Sequence, residues 1–224
     1  ENLMKKIKET GKSVILVLLN GSAVSINWAD KNIPAIIEAW YPGQAAGDAI
    51  ADVLFGDYNP AGRLPVTFYK SVEDIPPFVD YGMKGRTYRY FEGDVLYPFG
   101  YGLSYSKFEY GNVRLEKNKI SGNESVYLYA DVINKGKVKG EEVVQLYVKG
   151  KGLKENDAVK TLRGFERITL APNEKKTVRF QITPQMLSIF KEKEGFVTEK
   201  RTYELMTGSS SADRDLKTVK LTVE

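Results

Sequence analysis

Two different spacings of hydrophobic residues divide the chain. In its first part, short apolar runs of strand length alternate with segments whose apolar residues recur at helical spacing. Leu3, Met4 and Ile7 fall on one side of a short helix that ends near Gly11, and the unbroken aliphatic run SVILVLL follows at 13–19. Because such a run is typical of a strand buried on both faces of a parallel sheet, the pattern predicts an α/β unit.

The stretch 33–68 continues this α/β pattern. Residues 34–40 form an apolar run of strand length that Pro42-Gly43 ends. A predicted helix follows, with its apolar residues at helical spacing: Ala46, Ala49, Ile50, Val53 and Leu54. Gly56 stands where a helix C-cap glycine belongs, and 63–68 is expected to be extended. The order strand, turn, helix and extended segment predicts a packing unit.

From about residue 108 the spacing of apolar residues changes to two. Val126, Leu128, Ala130 and Val132 alternate with polar or aromatic positions. Further strands are predicted at 144–148, 178–182, 201–206 and 217–223, with turn formers between them. Many short strands separated by turns predict an antiparallel β-sandwich of about seven strands, immunoglobulin-like or fibronectin III-like.

The predicted fold class is therefore an α/β fragment, part of a parallel-sheet α/β sandwich, followed by an all-β sandwich. We expect an α/β unit at 1–68, a connector at 69–107 and the β-sandwich at 108–224. The connector, called the strap below, combines prolines and glycines with many aromatic residues, so it is expected to be ordered and to contact both neighbours. Two buried strands leave their outer faces uncovered, so the α/β unit needs further polypeptide to complete it.

Composition removes several classes of function. The net charge is only +4 and the basic residues are interspersed with acidic ones, so nucleic acid is not an expected partner. No run of about eighteen apolar residues occurs, so no membrane span is predicted. Cysteine and histidine are absent, which excludes thiolate chemistry and a Ser-His-Asp triad. No metal or cofactor site is predicted.

Three stretches resemble a known family. AWYPGQAAGDAIADVLFGDYNPAGRLPVTF at 39–68 and GRTYRYFEGDVLYPFGYGLSY at 85–105 closely resemble the C-terminal region of the family 3 glycoside hydrolases, the bacterial and fungal β-glucosidases and β-xylosidases. TLRGFERITLAPNEKKTVRFQIT at 161–183 resembles the fibronectin type III-like domain that many members carry last. The resemblance spans nearly the whole chain.

The resemblance implies a function for a larger protein. Family members are retaining β-glycosidases whose nucleophile is an aspartate in an N-terminal (β/α)₈ barrel and whose acid/base is commonly a glutamate in the sandwich domain. Both precede the region resembled here, so no catalytic residue is assigned in this chain, which alone is predicted to be inactive. The implied partners are that barrel and the remainder of the sandwich. The full enzyme would remove terminal non-reducing β-D-glucosyl or β-D-xylosyl units from oligosaccharides, in the periplasm or after secretion.

Four residues are candidates for substrate contact. The carboxyl ends of parallel strands line ligand crevices, which directs attention to the loop Asn20-Gly21-Ser22 and to Trp28 beyond it. In the strap, Tyr81, Arg86 and Tyr88 combine aromatic faces with a cation that could stack on or hydrogen-bond a sugar. Each also has a structural interpretation, since a lone Trp often packs and an Arg often clamps a loop through carbonyl groups.

Two alternatives to the glycosidase hypothesis stay open. One is a noncatalytic carbohydrate-binding module in which the β-sandwich grips polysaccharide. Residues 106–224 contain no tryptophan and only scattered tyrosines, which disfavours a flat sugar-stacking platform. The other is a structural accessory module that completes and stabilises a partner.

Overall fold

The computed structural model describes residues 1–152 and 157–224. Its α-helices are α1 (Asn2–Glu9), α2 (Asn27–Asn32), α3 (Ala46–Phe55), α4 (Thr87–Tyr90) and α5 (Pro184–Leu187). The strands of the first half are β1 (Ile15–Leu18), β2 (Ala35–Glu38), β3 (Phe68–Tyr69), β4 (Val95–Tyr97), β5 (Phe108–Leu115), β6 (Lys119–Ile120) and β7 (Val126–Asn134). Those of the second half are β8 (Gly140–Gly150), β9 (Thr161–Leu170), β10 (Lys175–Ile182), β11 (Ile189–Lys191), β12 (Gly195–Val197), β13 (Thr202–Gly208) and β14 (Leu216–Val223).

The α/β unit is built on the parallel pair β1 and β2, in register from Ile15 opposite Ala35 to Leu18 opposite Glu38. Helix α3 ends at Gly56, whose φ of 86° is the left-handed C-cap conformation that glycine adopts without strain. The full burial predicted for β1 is not reached, because Ile15 is 50% exposed. Within the described residues β1 and β2 pair only with each other, so both edges of this sheet are open.

The strap contacts both neighbouring units. On the α/β side, Gly100 N donates to Leu64 O at 2.8 Å and Leu64 N donates to Tyr101 O at 2.8 Å. On the other side, Ser211 N donates to Phe99 O at 2.9 Å. These backbone hydrogen bonds hold the strap between the two units.

The β-sandwich buries the main core of the chain. In the described part, one sheet has the order β10-β7-β5 and the other the order β6-β14-β13-β8-β9, with every pairing antiparallel except β6 with β14. Alternate residues of the strands face inward and are almost fully buried, among them Leu128, Leu146, Ile182, Leu205 and Leu221. The predicted fold class is confirmed.

Asp131 joins the three strands of the smaller sheet. From β7 its carboxylate accepts hydrogen bonds from Thr177 Oγ1 at 2.7 Å and from Asn112 Nδ2 at 3.2 Å, and Lys175 Nζ lies 2.7 Å away. Asn112 has a φ of 46°, and the register of β5 against β7 shifts between Gly111 and Arg114. The side chain of Asp131 is 8% exposed, and the hydrogen bonds from Lys175 and Thr177 hold its pKa well below the ordinary value.

We expect Asp131→Asn to lower the free energy of unfolding by about 1–2 kcal/mol at neutral pH, because the charge-assisted bonds are lost. The folded-state pKa lies below the unfolded value of about 4, so the stabilisation is full above that value and disappears as the pH falls through the folded-state pKa. Denaturant titrations should show a difference from wild type that shrinks toward about pH 3.

A pH-independent difference would contradict this account. Asp94→Asn is the matched control, because the Asp94 side chain is 94% exposed. That variant is expected to change the free energy of unfolding by no more than about 0.5 kcal/mol at any pH.

Candidate functional site

The carboxyl edge of β1 and β2 brings together Asn20, Glu38 and Trp40. Asn20 Nδ2 donates to Glu38 Oε2 at 3.2 Å and to Ser22 O at 2.8 Å, and Trp40 N donates to Glu38 Oε1 at 3.1 Å. Both carboxylate oxygens of Glu38 therefore accept internal hydrogen bonds. This arrangement fixes the loops that follow the two strands and gives Glu38 a structural role.

The same edge exposes Tyr41. Trp40 has a φ of 53°, in the left-handed region, and its ring packs against Phe68 with centroids 6.1 Å apart. Tyr41 is 78% exposed, and a Cβ at Gly21 would lie 2.7 Å from its ring. Sequence reasoning pointed to the loop at 20–22 but missed Glu38, Trp40 and Tyr41. Their position at the carboxyl end of the second predicted strand was the available signal.

Trp28 lies on α2 beneath α1. The ammonium groups of Lys5 and Lys8 are 5.6 and 5.8 Å from the centroid of its ring, and Asn32 Nδ2 donates to its carbonyl oxygen at 2.8 Å. Cations over an indole face contribute a favourable packing contact. In this arrangement Trp28 holds the two helices together.

Arg86 organises the loop that carries Tyr81. Its guanidinium donates to four carbonyl oxygens, those of Gly82 at 3.1 Å, Pro76 at 3.2 Å, Pro77 at 2.9 Å and Asp80 at 2.6 Å. The clamp leaves the apolar side chains of the loop in solvent: Phe78 is 91% exposed, Val79 80% and Tyr81 88%. Arg86 thus shapes the loop from within, while Tyr81 projects from it.

Tyr88 packs against the β-sandwich. Its ring stacks on Phe99 with centroids 4.3 Å apart and meets Tyr147 edge-on at 5.8 Å. Its hydroxyl oxygen accepts a hydrogen bond from Leu162 N at 3.1 Å. Trp28, Arg86 and Tyr88 therefore have three different sets of neighbours. Substrate contact by these residues and by Tyr81 stays a prediction.

A buried ion pair joins the α/β unit to the β-sandwich. Arg63 Nη2 lies 2.6 Å from Glu142 Oε2, and the two side chains are 8% and 2% exposed. Tyr110 donates its hydroxyl hydrogen to Glu142 Oε1 at 2.8 Å. Burial raises the pKa of the Glu142 carboxyl, and the charge of Arg63 and the hydrogen bond from Tyr110 oppose that rise. Burial, reinforced by the charge of Glu142, raises the pKa of Tyr110 well above its ordinary value.

Gln145 completes this contact between the units, which we call the seam (Arg63, Gly100, Tyr110, Glu142 and Gln145). Its Nε2 donates to Gly100 O at 3.0 Å and to Ser209 O at 2.7 Å, while its Oε1 accepts from Tyr147 Oη at 2.6 Å. A Cβ at Gly100 would overlap the Gln145 amide, and Gly100 has a φ of 80°. Both facts favour glycine at this position.

Asn59 fastens the edge of the seam. Its Nδ2 donates to Lys139 O at 3.0 Å, and its Oδ1 accepts from Ser104 Oγ at 2.9 Å and from Tyr105 N at 2.8 Å. One side chain therefore bonds the strap and the turn between β7 and β8 of the β-sandwich at once. Both polar atoms of its amide are hydrogen-bonded to protein, which gives Asn59 a structural role.

The described residues contain neither a metal-binding group of carboxylates nor a membrane-spanning helix. In 1–152 and 157–224 no group of three or more acidic side chains is placed to hold a metal ion. Over the same ranges, no helix has the length and apolar character needed to cross a bilayer. The described residues form a close connection between two units. Beside it lie two exposed features, the strap loop that carries Tyr81 and the carboxyl edge of β1 and β2 that carries Tyr41.

These features define the class of protein: an α/β unit joined through an aromatic strap to an accessory β-sandwich. Residues 1–105 match the Glycosyl hydrolase family 3 C-terminal domain, and residues 142–211 match the Fibronectin type III-like domain. The chain therefore belongs to glycosyl hydrolase family 3, whose C-terminal region it represents, as its sequence motifs predict.

Relatives match along the whole chain. A β-xylosidase from Formosa agariphila is 43% identical over 231 residues, which cover 100% of this chain and 32% of the relative. A xylan 1,4-β-xylosidase from Xylanibacter ruminicola is 43% identical over 222 residues, covering 98% of this chain and 25% of the relative. The structure of a β-glucosidase from Erythrobacter marinus superposes with a TM-score of 0.88 at 33% identity, covering 100% of this chain and 30% of that one. The chain spans about a third or less of the length of these proteins.

We expect Arg63→Met to lower the free energy of unfolding by about 3–5 kcal/mol, because it leaves the Glu142 carboxylate buried without its cation. The double variant Arg63→Met, Glu142→Leu removes both charges and should be more stable than the single Arg63→Met variant. Urea titrations of wild type, both single variants and the double variant give the coupling energy directly.

Additive effects of the two substitutions would contradict this assignment. The matched control is Arg167→Met, because Arg167 pairs with Glu141 near the surface and its side chain is 53% exposed. Loss of that exposed pair should cost about 1 kcal/mol or less.

Proposed function

We propose that this chain is the C-terminal portion of a retaining, exo-acting β-glycosidase that removes terminal non-reducing β-D-xylosyl or β-D-glucosyl residues. The observation that carries the proposal is the 43% identity to a β-xylosidase along all of this chain. The xylosyl unit is the favoured one, because the two relatives that are 43% identical are both named as xylosidases, whereas the β-glucosidase structure is 33% identical.

The role of this chain in such an enzyme is support. The nucleophile and the acid/base would lie in a barrel and in the remainder of the α/β sandwich, and these parts would pack on the apolar groups that the α/β unit exposes. Leu3 is 72% exposed, Leu19 61% and Phe55 84%, which is unusual for large apolar side chains of a finished α/β layer. The proposed units are 1–68, the strap at 69–107 and the β-sandwich at 108–224, and the chain by itself would not turn over substrate.

The test is turnover by the purified native protein of nitrophenyl β-D-xyloside and nitrophenyl β-D-glucoside. Intact mass and N-terminal sequencing of every polypeptide in the preparation accompany the assay. We expect turnover in a preparation whose active polypeptide is longer than the 25.2 kDa of this chain, with the xyloside as the faster substrate. A folded, inert 25.2 kDa chain that binds polysaccharide would favour the carbohydrate-binding module instead, and one that binds none would favour the accessory subunit.

Among the four candidate contacts, Tyr81 best suits a substrate role, since its ring is 88% exposed on a loop that Arg86 holds in place. We expect Tyr81→Ala in the active protein to raise KM for a β-linked disaccharide by about threefold or more, through loss of a stacking face, while the melting temperature stays unchanged. Steady-state kinetics and thermal melting measure the two quantities.

Phe165→Ala provides the control for loss of an exposed ring, because Phe165 is 68% exposed on the β-sandwich. Equal KM values for wild type and Tyr81→Ala would remove Tyr81 from the site. An equal rise in KM for both variants would show that exposed aromatic area in general, not this position, affects the assay.

A further inference from the structure

A cavity of about 300 Å³ opens at the edge of the β-sandwich, where α4, the start of β9 and the β11–β12 hairpin meet. Its lining includes three arginines from three separate parts of the chain, Arg89, Arg163 and Arg201. Phe190 and Phe196 of the hairpin also line it. Nothing in the support role proposed above uses this cavity.

Each of the three guanidinium groups has one hydrogen-bond donor, its Nε atom, that has no partner among the described residues. The Nε atoms of Arg89, Arg163 and Arg201 are buried and have no hydrogen-bond partner in the described part of the chain. Buried donors without a partner are rare in native proteins, and a site built for an ion is one of the explanations for them. Arg63 Nε has the same status, but Glu142 neutralises that guanidinium at 2.6 Å.

The other contacts of these arginines are few. Arg163 Nη2 donates to Ser188 O at 3.1 Å, and the Arg89 guanidinium lies 5.2 Å from the centroid of the Tyr90 ring. Arg201 Nη1 lies 3.2 Å from Glu199 Oε2, and its guanidinium lies over Tyr203 at 5.2 Å. Burial, together with the nearby charge of Arg89, lowers the pKa of Arg163.

The acidic groups around the cavity do not outnumber its cations. Asp157 lines the cavity, and Glu199 is shared between Arg201 and Lys191, whose Nζ lies 3.1 Å from Glu199 Oε1. Glu194 Oε1 also lies 3.9 Å from Lys191 Nζ, so among the described residues four cations stand near three carboxylates. The surplus of positive charge favours an anionic ligand.

The backbone makes room for one of these arginines. Gly150 lies in β8 opposite Tyr203 of β13, and a Cβ at that position would overlap the Arg201 guanidinium. Glycine inside a strand weakens the strand and often marks a place where another group must approach closely. Arg201 is thus accommodated at the cavity at the expense of strand propensity.

Two exposed rings stand beside the cations. Phe190 is 65% exposed and Phe196 78%, and their centroids are 5.4 Å apart in an edge-to-face arrangement. The rings face each other across the β11–β12 pair, where Phe190 is opposite Phe196. Exposed aromatic faces of this kind offer a platform for an apolar or amphipathic ring.

We propose that this cavity binds a uronic acid unit of an oligosaccharide. The planar carboxylate of the uronic acid accepts hydrogen bonds from the guanidinium groups that line the cavity, whose geometry matches a carboxylate. The pyranose ring of the same unit packs on Phe190 or Phe196. This inference goes beyond the proposed hydrolysis, because binding at this cavity involves no catalytic group and would persist in an inactive protein.

The test compares three probes by calorimetric titration of the purified native protein: a neutral xylotriose with sulfur-linked units that glycosidases do not hydrolyse, the same trisaccharide carrying one glucuronosyl branch, and sodium sulfate. We expect the acidic oligosaccharide to bind at least about tenfold more tightly than the neutral one, with an affinity that falls as salt is added. Equal affinities for the acidic and the neutral oligosaccharide would overturn the proposal.

Variants locate the site. Arg163→Gln should weaken binding of the acidic oligosaccharide by about tenfold or more, because a hydrogen bond to a charged group is lost. Phe196→Ala, at a position exposed enough to tolerate the change, should weaken it by about threefold or more. Arg179→Gln makes the same charge change on the exposed face of β10 and should leave the affinity unaltered.

Two outcomes overturn the assignment. If sulfate binds as tightly as the acidic oligosaccharide and Phe196→Ala has no effect, the cavity is a site for inorganic anions and not for sugars. If Arg179→Gln weakens binding as much as Arg163→Gln does, the attraction comes from overall charge and no specific site exists. Thermal melting of each variant confirms that a loss of affinity is not a loss of fold.

Discussion

The buried ion pair between Arg63 and Glu142 sets the relation of the two halves of the molecule. One charge belongs to the segment that leaves the α/β unit and the other to β8, so each charge finds its partner only when the two halves are docked. Tyr110 donates to the second carboxylate oxygen, so both oxygens of Glu142 have a partner and the carboxylate is fixed in place. Close approach is also required, because a Cβ at Gly102 would overlap the carbonyl oxygen of Gly62. The strap can pack this closely against the α/β unit because residue 102 is a glycine and has no side chain.

The aromatic richness of the strap follows from the same requirement. Tyr88 is held between Phe99 and Tyr147, and the Tyr97 ring stacks on Tyr101 at 5.5 Å while its hydroxyl group donates to Asp30 Oδ1 at 2.7 Å. These rings supply large contact area between units that share few backbone bonds. Tyrosines at such spacing therefore indicate docking between domains as readily as they indicate sugar binding, and exposure is what separates the two roles. Only the structure reveals that Tyr88 is packed and Tyr81 is exposed.

Local sequence predicted the parts of this fold that depend on local physics. The alternation from Val126 to Val132, the parallel strand runs and the Gly56 cap are all encoded within a few neighbouring residues, and the structure has them. The partners of long-range polar groups are encoded differently. Glu142 lies 79 residues from Arg63 in the sequence, and the residues around each of them do not indicate that the two side chains will pair. The same holds for the candidate sites, where Glu38 meets Asn20 only once two strands have paired side by side.

The arginines of the chain show how structural and binding roles differ in physical terms. Arg86 directs its guanidinium at four carbonyl oxygens of its own loop, so it has little left to offer a ligand. Arg89, Arg163 and Arg201 converge on one cavity with buried Nε donors that the described residues leave unsatisfied. Bringing like charges together costs free energy, which Glu199 offsets at Arg201 and which a bound anion would offset further. Gly150 adds a second cost, because a glycine inside a strand weakens the strand. An arginine that spends its donors on its own loop shapes that loop, whereas arginines gathered at one cavity attract an anion to it.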